Sequence, residues 1–154
     1  MRFPYFTKRL RAPIYSRPGA NVVHLPMLSI TAITPSGMAS VDGLVDSGAT
    51  EVVMPLRVVP ALGLDLTNAP AGQATQADGS IVTHRYAHVE LCLSDGNEAY
   101  RWPAVVAFLD VPGRHHALLG HAGFLDFFDV LLRGAAKETI IDPNSAFPGQ
   151  RVHP

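Results

Sequence analysis

Asp46 is the acidic residue in the least ordinary setting of this chain. It follows the apolar run Gly43-Leu44-Val45 and is followed by Ser47-Gly48-Ala49-Thr50. An ionisable group at the end of an apolar strand is costly to desolvate unless it is hydrogen-bonded or put to use. The small residues after it leave room for another chain to approach closely. A plainer reading stands beside this one: Asp-Ser-Gly is also a turn tripeptide, with the aspartate accepting backbone N–H bonds. Histidines are the competing signal. His84 and His88 stand four apart on a predicted strand with no convergent third ligand, and His115-His116 falls on a predicted loop. Catalytic zinc needs three protein ligands, so rim or surface histidines are the expectation and no metal is implied. No Gly-x-Ser-x-Gly elbow is present for a serine hydrolase.

The elements that must position Asp46 read as short strands. Residues 27–34 alternate and end at Pro35-Ser36-Gly37; residues 39–45 lead into Asp46; Val52-Val53-Met54 ends at Pro55. Residues 56–62 fit a short helix of no more than about two turns, because Pro60 lies inside it and Gly63 follows. Residues 69–78 carry no core pattern, residues 81–93 alternate as a long strand, and Ser94-Asp95-Gly96-Asn97 signals a hairpin. Residues 102–109 and 117–119 form further strands. Residues 123–128 make the best helix, and residues 130–132 with 139–141 make a closing hairpin across Arg133-Gly134.

At 154 residues, with 47% apolar and 16% charged residues, the chain is a single packed domain rather than a disordered segment. Thirteen glycines and thirteen prolines exclude a helical bundle. The fold class is therefore all-β. The lone Cys92 excludes a disulfide and a cysteine-based zinc site, and fits a half-buried strand residue. The net charge is −1, yet Arg2, Lys8, Arg9, Arg11 and Arg17 all precede the first acidic residue, Asp42. Without a nucleic-acid-binding signature this basic segment reads as an irregular arm over residues 1–21, before a domain over 22–142 and a tail over 143–154. No apolar stretch is long enough to span a bilayer and no secretory h-region opens the chain, so no nucleic-acid or membrane partner and a cytoplasmic location are expected.

Two motifs in order, Val45-Asp46-Ser47-Gly48-Ala49 and Ala117-Leu118-Leu119-Gly120, with a Gly-rich polar stretch between them, give a sequence that resembles the retropepsin-like aspartic proteases from about residue 22 to 141. The resemblance implies a small closed β-barrel with one short helix near the C-terminus, no cofactor, a peptide or protein substrate, and activity as a homodimer. Such chemistry needs two facing carboxylates that share one proton, since like charges about 3 Å apart cannot both ionise. This chain supplies one such triplet, so the resemblance implies Asp46 and its symmetry mate as the catalytic dyad. Ser47 would bridge the two loops, Gly48 would contact substrate backbone, and Ala49 and Thr50 would support the turn. Gly72, Gln73, Ala74, Thr75, Gln76, Ala77, Asp78, Gly79 and Ser80 fall where the family has its flap. Leu119 and Gly120 would sit beneath the catalytic loop and Leu118 would wall a pocket. His121 stands where relatives often carry arginine, and one residue is added after it, so the arginine brace is missing. The dimer surface is expected on the terminal strands near residues 130–132 and 139–141. The alternative is a catalytically silent retropepsin-like module for dimerisation or peptide binding.

Overall fold

The computed structural model describes residues 1–75, 79–109 and 115–153. Its strands, in chain order, are β1 (Arg2–Pro4), β2 (Phe6–Arg9), β3 (Val22–Leu25), β4 (Met27–Thr34), β5 (Gly37–Val45), β6 (Val53–Pro55), β7 (Ala71–Thr75), β8 (Ile81–Ser94), β9 (Ala99–Leu109), β10 (Ala117–Leu119), β11 (Phe128–Arg133), β12 (Glu138–Pro143) and β13 (Gln150–Val152). The long alternating stretches of the sequence become β4, β5, β8 and β9, whose buried residues recur at every second position over most of their length.

Pairing runs β9-β6-β10-β5-β4-β8, and β8 pairs back onto β9, so six strands close into a ring. Most of these pairs are antiparallel, but β10 lies parallel to β5 and β6 lies parallel to β9. Leu28, Ile30, Leu91, Leu93, Trp102 and Val106 belong to a single buried core cluster. Outside the ring, β1, β12 and β11 form a three-stranded sheet and β2 pairs with β3. The first 21 residues are thus not wholly irregular: β1 docks on β12, and β2 forms a ribbon with β3. The C-terminal stretch likewise adds β13 to β9. The expected hairpin of β11 and β12 is present, but β12 is flanked on both sides and Thr139 and Ile141 are buried. Leu131 and Leu132 on β11 are the exposed apolar residues there.

The helix expected over residues 56–62 is a pair of 3-10 turns, Leu56–Val58 and Pro60–Leu62, ended by Gly63 at φ 62°. The helix expected near the C-terminus, over residues 123–128, does not form. The spacing of Phe124 and Phe128 looks helical, but the backbone there makes successive turns with mixed hydrogen bonds, Leu125 N–H to Gly120 O, Phe127 N–H to Phe124 O and Phe128 N–H to Phe124 O. Tertiary packing decides the matter. The Trp102 Nε1–H donates to Gly123 O at 2.8 Å, and the Trp102 ring packs between Phe124, Phe128 and Phe147. Phe128 is then taken into β11. A segment this short has little helical stability of its own to set against those contacts.

Candidate active site

Asp46 lies immediately beyond β5, on a loop whose main chain is bonded on both sides. Its N–H donates to Leu119 O at 3.2 Å, and the preceding Val45 N–H donates to Pro26 O. Parallel pairing of Leu119 with Val45 carries the 117–120 motif alongside the strand that delivers the aspartate. Farther along, His121 N–H donates to Ala49 O, Ala122 N–H to Thr50 O, and Val52 N–H to Ala122 O. Gly120 is buried between these segments, and a Cβ there would run into the carbonyl oxygens of Ala49 and Glu51. Leu119 is buried as well, packed on Gly43.

Asp46 is half-buried, and its Oδ1 accepts a hydrogen bond from Gly48 N–H at 2.9 Å. The carboxylate closes its own Asx turn, as the turn reading of the tripeptide has it, and also lines a cleft. That cleft holds about 620 Å³. Asp46, Gly48, Ala49, Thr50 and Glu51 line one side; Gln73, Ala74, Thr75 and Val82 line another; Val53, Leu109 and Leu118 supply apolar wall. Ser47 is exposed and does not line the cleft.

Gly72, Gln73, Ala74 and Thr75 lie on β7, which pairs with residues 81–85 of β8. The pairing of β8 with β9 begins only at Arg85, so residues 71–75 and 81–84 form a two-stranded ribbon projecting past the ring beside Asp46. Gly79, at φ 83°, and Ser80 are exposed. Gln76, Ala77 and Asp78 fall outside the described residues.

Several residues of this region escape a reading of the sequence. Glu51 lines the cleft; its Oε1 accepts from the Tyr86 hydroxyl at 3.2 Å and stands 3.5 Å from His84 Nε2. Burial, then the hydrogen bond that Tyr86 donates to Glu51 and the negative charge of that carboxylate, raise the pKa of the Tyr86 hydroxyl above its usual 10.0, so it stays a donor. His84 is not a rim histidine: it is only 3% exposed, although strand alternation puts it on the face opposite Val89, Leu91 and Leu93. His88 is exposed, whereas His115 and His116 line a separate cavity with Phe6 and Lys8 rather than this cleft. His121 has its own partner: its Nε2 lies 3.1 Å from Ser47 O, so Nε2–H donates, and its Nδ1 is 3.9 Å from Asp126 Oδ1. This bond ties His121 to the loop that carries Asp46. Among the described residues no group of three or more His, Cys, Asp or Glu is arranged to hold a metal ion.

A ring of strands that presents one aspartate on a doubly tethered loop, over an open cleft with a ribbon beside it, defines a β protein of the acid-protease class. The chain belongs to the retropepsin-like aspartyl proteases: the family model described as Aspartyl protease matches residues 32–122, more than half of its length and the whole of both motifs. No curated protein matches the chain.

Proposed function

We propose that this protein is an aspartic endopeptidase that works as a homodimer, with Asp46 of each protomer forming one half of the catalytic dyad. The observation that carries the reading is the placement of Asp46, half-buried at the wall of an open cleft on a loop bonded to residues 119–122. Its side chain remains directed at space large enough for an extended peptide. A single carboxylate cannot be both ionised and protonated, so acid–base chemistry of this class requires the second copy. In the dimer the ionised Asp46 takes a proton from water, which attacks the scissile carbonyl carbon. The protonated mate donates to the carbonyl oxygen, and the departing nitrogen is then protonated as the C–N bond breaks. Gly48 and the main chain of β7 offer hydrogen bonds to the substrate backbone, and the ribbon of β7 and β8 acts as the flap. The bond from His121 to Ser47 O supports this enzyme reading over that of a silent module, because the loop is braced despite the lost arginine.

The test combines activity with mass in solution. Peptidase activity at mildly acidic pH is expected from a dimeric species, and Asp46→Asn is expected to lower it by about 10²–10⁴-fold or more with the fold intact. Activity that survives Asp46→Asn, or that belongs to a strict monomer, overturns the proposal.

A further inference from the structure

The hydrolytic reading uses one carboxylate of the cleft and leaves the other, Glu51, without a task. Glu51 is fixed at the level of its backbone by its bridge to Ala122. Its side chain is fixed from below. The Tyr86 hydroxyl and His84 Nε2 both address Oε1, at 3.2 and 3.5 Å, and the two rings meet edge-on with centroids 4.7 Å apart. His84 is buried, and among the described residues its Nε2 makes no hydrogen bond, while the Glu51 carboxylate stands 3.5 Å from it. Gly72 of β7 lies directly across from His84, and even a methyl group there would strike Nε2, so the imidazole is confined beneath the ribbon. A carboxylate held in this way meets a ligand with little ordering left to do, which is what makes a charged contact selective. Among the described residues, those that line the same cleft include Asp46 and Glu51 but neither lysine nor arginine, with Val53, Leu109 and Leu118 as apolar wall.

We infer that Glu51 is a specificity-determining residue that selects substrates carrying a lysine or arginine side chain. The methylene stem of that side chain lies on the apolar wall and its charge pairs with the Glu51 carboxylate. His84 and Tyr86 are positioning residues that hold the carboxylate in place. The inference rests on the reading that the cleft takes a peptide.

The experiment uses full-length protein carrying Asp46→Asn, near neutral pH, and a series of peptides with lysine walked through each position. Each peptide is paired with one carrying norleucine, which keeps the stem and removes the charge. Calorimetry is expected to show one position at which lysine binds about ten-fold or more tighter than norleucine. Adding Glu51→Gln is expected to bring that ratio to about one, and adding Tyr86→Phe to reduce it part-way, with thermal melting confirming the fold. The ratio is unaffected by any general loss of affinity. Wild-type cleavage rates are read on the same pairs. A lysine preference that depends on Glu51, in a protein that cleaves nothing, keeps this inference and overturns the peptidase reading. Cleavage with equal rates and equal binding for both members of every pair does the reverse. A lysine preference that survives Glu51→Gln, or no binding of any peptide, overturns the inference.

Discussion

The loop that carries Asp46 and the ribbon beside it are both built from small and polar residues, yet the protein treats them differently. Residues 46–50 are bonded to Leu119, His121 and Ala122, with a buried glycine beneath them where only main chain fits. Residues 71–75 touch one strand, alternate between exposed and half-buried, and have beneath them a side chain, His84, rather than main chain. Main-chain neighbours inside a closed ring cannot give way without disturbing the strands they belong to. A side-chain neighbour under an edge strand can. The contrast gives a firm seat to the loop that carries Asp46 and a yielding one to the ribbon beside it.

Substitutions at the two glycines test this contrast most directly. Gly120→Ala is expected to cost about 3 kcal/mol of stability, since the new methyl group meets two carbonyl oxygens of the loop. Denaturant unfolding measures the loss, and activity should fall with it because Asp46 would be displaced. Gly72→Ala is expected to cost less, about 1 kcal/mol, because the atoms it meets belong to side chains of β8 rather than to main chain. Equal costs at the two sites would break the comparison.

The smallest effect sharpens it. His121→Ala removes the bond to Ser47 O from an imidazole that is 54% exposed, so about 0.5–1 kcal/mol and a few-fold loss of kcat are expected. His121→Gln, which keeps a donor, should recover most of both. Recovery of stability without kcat would mean that the bond supports the fold and not the placement of Asp46.

Much of this molecule is legible in the order of its residues. The alternation of residues 27–34 and 81–93 and the punctuation at Pro35-Ser36-Gly37 and Ser94-Asp95-Gly96-Asn97 mark strands and hairpins, because side-chain period and turn chemistry are local properties. The two short motifs stand out for a similar reason: each needs particular small residues where backbone meets backbone. The misread helix at residues 123–128 shows the limit. Its aromatic spacing suits a helix, but Trp102, some twenty residues earlier, takes the Gly123 carbonyl and the phenylalanine rings for the core. The cluster of Glu51, His84 and Tyr86 is hidden in the same way. Alternation places His84 and Tyr86 on the polar face of their strand, and only the crossing of the ribbon over residues 51–53 buries one and binds the other.

The sequence by itself determined most of the strands, the turns, and the aspartate that ends an apolar run. Tertiary structure alone decided which side chains surround the cleft, that His121 bonds to Ser47 O, and which partners Glu51 has. The physical reason is range. Backbone periodicity and turn preference act between neighbours a few residues apart, whereas burial and pairing of polar groups depend on segments brought together only when the ring of strands closes.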